Sequence, residues 1–239
     1  MVGESDKYVT LFTKEHGTIQ AIALKAKSTS NGFASSTQLF IYADFILTSY
    51  KDTYRVVNID IIEMFHPLRE DIFALSYASY IAEFITYVTE PGLSQPNLLK
   101  LTLYALRALC KENPDYVLIR STFEIRALYI MGFGLNLTNC VDCDEKIEYK
   151  EGVNYFASIE DGGLLCEKCK KLRTDNIYLS SDALYTIIYI ITTPINKVYN
   201  FKVKSSIKNQ IAKLCARYVP YFVERSFKSL DFLEQLTLI

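Results

Sequence analysis

Two Cys-x-x-Cys pairs constrain this chain more than any other feature. Cys140 and Cys143 form the first, Cys166 and Cys169 the second, and 22 residues separate them. Each pair folds as a tight knuckle that points two sulfurs at one ion, and two knuckles complete a closed tetrahedral site with no position left for water. Such a site staples loops together and does not activate a water molecule. A redox-active Cys-x-x-Cys normally occurs once, at a helix start after a strand, so a second copy favours a metal. The expectation is one structural zinc on Cys140, Cys143, Cys166 and Cys169. Between the pairs, Tyr155-Phe156 and Gly162-Gly163-Leu164-Leu165 read as a short hairpin and turn leading into the second knuckle. Residues 139–167 carry eight acidic and two basic side chains, a local charge of −6 that makes the insert a poor grip for nucleic acid.

The other cysteines, Cys110 and Cys215, stand alone in apolar, helix-like runs and read as core. Residues 1–7 have neither a basic start nor an apolar stretch, so no secretory signal is expected and the compartment is the reducing cytoplasm. With 50% hydrophobic residues over 239 positions the chain can fill a sizeable core. Lys and Arg number 26 against 27 Asp and Glu, a formal charge of −1. That balance excludes a polyanion-coating protein and leaves any nucleic-acid site as a local patch. The longest apolar runs, around 187–191 and 39–47, fall far short of the roughly 20 residues that span a bilayer, so no membrane partner is expected.

The hydrophobic period changes near residue 66. Before it, 8–13, 19–25, 38–48 and 54–62 are β-branched or aromatic runs separated by turn-rich segments. After Pro67 the period is helical. A first helix runs over 71–89 with Asp71 as its cap, Pro96 opens a second, and Pro114 opens a third that stops at Gly132. Helical pattern resumes at 180–182, stops at Pro194, and returns from about Lys204 to the C-terminus. The expected fold is α+β: a β-rich head over 1–66, helices over 67–138, a zinc-binding insert over 139–175, and further helices over 176–239. Catalytic signatures are lacking. No phosphate-binding Gly-x-x-x-x-Gly-Lys loop and no Gly-x-Ser-x-Gly elbow occur, and His16 and His66 sit beside turn residues Gly17 and Pro67. The expectation is that the protein is not an enzyme.

Particular residues carry a family resemblance. Gly3-Glu4-Ser5-Asp6-Lys7 followed by Tyr8-Val9-Thr10-Leu11-Phe12-Thr13, then Pro67-Leu68-Arg69-Glu70-Asp71, resembles the bacterial recombination mediator family RecO. So do Phe123-Glu124-Ile125-Arg126 with Gly132-Phe133, both cysteine pairs, and Glu224-Arg225-Ser226-Phe227-Lys228-Ser229-Leu230-Asp231-Phe232-Leu233 near the end. The resemblance spans the chain in order. It implies an N-terminal OB-fold β-barrel, an all-helical domain and an inserted zinc motif of four cysteines. It also implies binding of single- and double-stranded DNA, annealing of complementary strands, and contact with the C-terminal tail of single-strand-binding protein. Partnership with RecR, indirect action on RecA through its loading, and a cytoplasmic, nucleoid-associated location follow from it too. Relatives carry about ten further residues ahead of Gly3, so the barrel is expected without its first strand.

On such a barrel, aromatic faces stack bases while lysines and arginines follow phosphates. The candidates in the head are Lys7, Lys14, Lys25, Lys27, Lys51 and Arg55, set against seven acidic residues. For each, a solvated surface role stands beside the functional one. Tyr8, Phe12, Phe33, Phe40, Tyr42 and Phe45 could supply stacking; alternation turns at least half of them toward the core, and Phe33, in a Ser-rich loop, is the preferred candidate. A stronger basic stretch lies at 197–228, eight basic residues against Glu224, a local +7 that includes Lys202, Lys204, Lys208, Lys213 and Arg217. Lys204, Lys208 and either Ile211 or Lys213 are expected near one another on a helix. The family's tail-binding pocket lies in the helical domain and needs a cation, for which Arg120 and Arg126 are the candidates. The alternative function is a zinc-stabilised adaptor that binds RecR or single-strand-binding protein without appreciable DNA binding of its own.

Overall fold

The computed structural model describes residues 3–27, 33–50, 53–174 and 176–237. Strands β1 (Lys7–Thr13) and β2 (Gly17–Ala23) form an antiparallel hairpin. Period-two alternation sets its faces: Ile19, Ala21 and Ala23 are buried, whereas Gln20 is exposed. A short helix α1 (Phe33–Ser36) precedes β3 (Tyr42–Tyr50), which pairs antiparallel with β4 (Thr53–Glu63). The sheet order is β1-β2-β4-β3, with β2 and β4 parallel through Ala21↔Tyr54 and Ile22↔Arg55. This order, with its one parallel pairing, is that of an OB-type Greek-key barrel opened between β1 and β3. Register shifts at Tyr42/Ala43 and Ile46/Leu47 bend the β3–β4 ribbon around a small core of Ala21, Ala23, Ala26, Val56 and Ile59. Met1 and Val2, on which the expectation of a missing first strand turns, lie outside the described residues, as does Lys51.

The strand anticipated from residue 38 begins only at Tyr42. Thr37 and Gln38 donate backbone bonds to Phe33 and Ser35, and Phe40 adopts a positive φ of 60°, so this stretch closes α1 instead.

Helices α2 (Pro67–Glu70), α3 (Ile72–Val88), α4 (Pro96–Leu109) and α5 (Tyr116–Ile130) follow. The Asp71 carboxylate accepts from the amides of Phe73 and Ala74, and Asp115 accepts from Leu118, so each side chain satisfies donors that a helix start leaves free. Next comes a three-stranded sheet, ordered β6-β5-β7, of β5 (Asn154–Ser158), β6 (Gly163–Leu165) and β7 (Ile177–Ser180). Ser180 ends β7 and caps α6 (Ser181–Thr192) through Ala183. Helix α7 (Ser205–Val223) stops where Glu224 turns left-handed, and α8 (Lys228–Thr237) folds back onto α3. Phe227 is buried there against Tyr80, Phe84 and Tyr87.

One core joins everything after Phe65. Ala157, Leu164 and Leu179 of the small sheet are fully buried in the same cluster as Phe84, Phe123, Leu184 and Ile211 of the helices. The cysteine-bearing insert is therefore packed into the helical body. The head docks on that body through its first turn, where His16 O accepts from the Gly92 amide at 2.8 Å and the Ser94 hydroxyl donates to Lys14 O at 2.8 Å, and through the end of β4, where Arg107 pairs with Glu63 at 2.7 Å. Among the described residues no helix is long and apolar enough to cross a membrane.

Candidate metal centre and nucleic-acid surfaces

The first knuckle hangs from the end of α5. Asn136 exchanges backbone bonds with Gly162 and Leu164, and Val141 donates to Leu164, so residues 136–141 lie along β6. The chain then reverses: Cys140 donates to Glu145 O, Asp144 donates to Cys140 O, and Asp144 takes a φ of 60°. The second knuckle leaves β6 directly and closes in a 3-10 turn at Cys169–Leu172.

The sulfurs of Cys140, Cys143, Cys166 and Cys169 lie within 4.8 Å of one another, and those of Cys143 and Cys166 are 3.7 Å apart. Four sulfurs about 2.3 Å from a tetrahedral ion stand about 3.8 Å from each other, so the arrangement fits such an ion. Burial alone would push the Cys140 thiol up, but the amides of Cys143, Cys166 and Asp142 donate to its sulfur and hold it down to about 7. The Cys166 sulfur pushes the neighbouring Cys169 thiol far up. Four thiols so close cannot all ionise unless a cation replaces their protons. A closed, all-sulfur set has no open position and suits a structural ion.

The head gathers part of its basic set. Lys27 and Arg55 bring their charges to Asp6, whose carboxyl is held low first by the amides of Lys25 and Gly3 and then by those two cations. Lys7 bonds Thr37 through its ammonium, and Lys27 bonds Glu4 O. Lys14 is exposed just past the far end of β1, about 23 Å from Lys7 at strand rise. Phe33 packs against the head core instead of standing in solvent. The exposed aromatic of β1 is Tyr8, at 65% exposure. Tyr8 pairs with Ile22, and Ile22 with Arg55, so the three form one row across β1, β2 and β4. The sequence pattern offers Tyr8 as one of six stacking candidates but gives it no preference over Phe33. Alternation with the inward Val9 was the available signal, but it does not say which of two faces meets solvent. Tyr8 also lines a cleft of about 730 Å³ between head and body, with Thr10, Gln38 and Phe40 on one side and Ile81 and Arg225 on the other.

Helix α7 divides the C-terminal cations. Lys204 and Lys208 share a face next to Lys202, and Lys208 is paired to Asp115 at 2.8 Å. Ile211 is buried in the core. Lys213 lies about 140° around the axis from Lys208, on an exposed strip with Arg217.

Arg120 and Arg126 take separate places on α5. The Arg120 side chain, 19% exposed, lies against Glu124, Nε to Oε1 at 3.5 Å. Glu124 is buried and also accepts from the Tyr80 hydroxyl at 2.6 Å. Burial raises its carboxyl above the usual range even with Arg120 beside it. Arg126 donates to Ile190 O at 3.1 Å and stacks over Tyr129.

Comparison with known proteins is consistent across the chain. Residues 1–65 match the family described as "Recombination protein O N terminal", and residues 69–231 match "Recombination protein O C terminal". A protein of Acetivibrio thermocellus named "DNA repair protein RecO" is 30% identical over 237 residues, covering 99% of this chain and 93% of that protein. Proteins of the same name from a Thermoanaerobacter species and from Symbiobacterium thermophilum are 29% and 30% identical, with 99% and 98% of this chain covered and 93% and 92% of theirs.

Proposed function

The chain belongs to the RecO family of DNA repair and recombination proteins, and on that premise we propose that it acts as a recombination mediator without a chemical step of its own. It binds single- and double-stranded DNA, anneals complementary strands and, with RecR, helps load RecA onto DNA coated by single-strand-binding protein. The observation that carries the DNA-binding part is the Tyr8–Ile22–Arg55 row beside Lys25 and Lys27. An exposed ring for a base lies next to cations for the phosphates, which is what a sequence-tolerant single-strand site needs. Lys7 and Lys14 extend it, and Lys202, Lys204, Lys208, Lys213 and Arg217 offer further phosphate contacts on the body. Arg120 and Arg126 serve the acidic tail of single-strand-binding protein. The four cysteines hold one structural zinc, and the protein works in the cytoplasm on nucleoid DNA.

Fluorescence anisotropy of a labelled single strand at several salt concentrations tests this reading. With Z phosphate contacts, log affinity falls against log salt with a slope of about −0.7Z. A slope implying several contacts, together with ATP-independent annealing, supports the mediator. A folded protein that captures RecR or the acidic tail yet ignores bare DNA supports the adaptor. The head favours that second reading in one respect, because Lys7 and Lys27 already spend their ammonium groups on Thr37 and Glu4.

A further inference from the structure

Beyond the four sulfurs, one side chain ties the whole insert together. Arg173 lies four residues after Cys169, at the exit of the second knuckle. Its guanidinium reaches back to Asp142, which sits between the two cysteines of the first knuckle, with 2.7 Å from one terminal nitrogen to Oδ1 and 3.5 Å from Nε to Oδ2. The same terminal nitrogen is 2.8 Å from Asp161 in the β5–β6 turn, and the other is 3.8 Å from Glu160. Arg173 and Asp142 are each 27% exposed, so the pairing is partly withdrawn from solvent. The backbone carrying the guanidinium is itself fixed, because the Asn176 side chain donates through Nδ2 to the carbonyls of Arg173 and Lys170. Asp161 is braced in turn by Ser158.

This geometry bears on the metal in two ways. The Asp142 amide is one of the donors to the Cys140 sulfur, so a pull on the Asp142 side chain sets the backbone that supports a ligand. Four thiolates around a divalent ion carry a net charge of about −2, inside a segment that is itself acidic, and Arg173 brings a cation to three of its carboxylates. We propose that Arg173 is a positioning residue for the metal centre: by clamping Asp142 to the exit of the second knuckle it holds the two knuckles in register and governs how tightly the ion is retained. A planar guanidinium suits this role, since it serves two carboxylates at fixed angles where an ammonium acts as a point charge. The inference rests on the reading of the four cysteines as a zinc site.

The test measures zinc content and the rate of zinc transfer to a chromophoric chelator for the full chain and for Arg173→Gln, Arg173→Lys, Asp142→Asn and Arg225→Gln. The last removes the Arg225–Glu83 ion pair in the helical body and controls for general loosening. Arg173→Gln is expected to keep one zinc at saturation and, loaded with cobalt, a tetrahedral thiolate spectrum. Its zinc should nonetheless leave roughly 10 to 100-fold faster, the usual reach of groups that orient metal ligands. Asp142→Asn should act alike, the double variant should add little, Arg173→Lys should restore only part, and Arg225→Gln should leave the rate alone. Release at the unsubstituted rate by Arg173→Gln, from a protein whose parent holds one zinc, overturns the clamp. Equal acceleration by Arg225→Gln overturns it as well. A parent chain without zinc overturns the zinc site, and the clamp falls with it.

Discussion

Gly17 closes the β1–β2 turn at a φ of +61°, and its Cα faces the carbonyl of Glu90, from the loop after α3, too closely for any Cβ to fit between them. A Cβ there would also come within 2.7 Å of Leu93 O. At this point the join between head and body is a backbone-to-backbone contact, which side-chain repacking cannot relieve. Gly17→Ala meets both a left-handed φ and this clash, and should cost on the order of 3 kcal/mol in urea unfolding. Gly92→Ala is the control, because its φ is +85° but nothing lies within 4 Å of the added methyl. It should cost about 1 kcal/mol. Equal losses would mean that strain alone, and not the contact with Glu90, demands glycine at 17.

Asp71 joins two helices at one point. Its carboxylate caps α3 and accepts from the Tyr116 hydroxyl of α5 at 2.5 Å. The hydroxyl first, then the amides of Ala74 and Phe73, hold the carboxyl below its ordinary 3.8. A group lowered on folding stabilises above its unfolded value and loses that contribution as pH falls through the folded one. Asp71→Ala should thus cost about 1 kcal/mol at pH 6, with the gap to the parent narrowing below pH 3.8 as the parent's carboxyl is protonated. A gap that stays constant from about pH 6 to about pH 2.5 in unfolding titrations would show that the ionised cap is not what the substitution removes.

Much of this architecture is legible in the residues because caps and period are local. Asp71, Pro96 and Ser180 announce their helices, and Gly162-Gly163 announces a turn between two strands. What stayed hidden depends on partners distant in sequence. Strand β7 is four residues long, too short for periodicity to separate from a loop, and is defined by pairing with β5, more than a dozen residues earlier. The break at Glu224 follows from Phe227 finding a pocket between Tyr80 and Phe84, which no local pattern contains. The gathering of the four cysteines was readable from spacing, whereas the Asp142–Arg173 link spans 31 residues with no motif. Tyr8 is the converse case: alternation was visible, but only the register with Ile22 and Arg55 gives the exposed ring a cationic neighbour.

On the proposed function, that row should separate two contributions to DNA binding. Stacking on Tyr8 carries no charge, so Tyr8→Ala should weaken single-strand affinity by about 1–3 kcal/mol while leaving the salt slope unchanged. Lys25→Gln with Lys27→Gln should flatten the slope by about 1.4, two contacts at about 0.7 each. The glutamines keep the backbone amide that Lys25 gives to Asp6. If Lys213→Gln with Arg217→Gln flattens the slope and the head pair does not, the strand runs over α7 instead.

A zinc held by the four cysteines, as proposed, should stabilise more than its own loops, because the insert and the helices share one core. Gly163 marks the contact: a Cβ there would lie 2.5 Å from Val141 Cγ1 and 2.8 Å from Asn136 O, so the first knuckle sits directly on β6. The next residue, Leu164, is fully buried among the helices. Loss of that ion should then free the knuckles, loosen β6 and reach Leu164 within one residue. Removing zinc with a strong chelator should lower the unfolding midpoint followed by helical circular dichroism on the order of 10 °C, given that binding and folding are coupled and that each kcal/mol moves a chain this size by about 2–4 °C. Cys140→Ser should start at the lowered midpoint and show no response to chelator, since it has no ion to lose. Gly163→Ala should fall between the two, still responsive to chelator but weaker in metal binding. A helical midpoint indifferent to chelator in the zinc-loaded parent would mean that the knuckles open without disturbing β6, and that the shared core, not the ion, holds the insert in place.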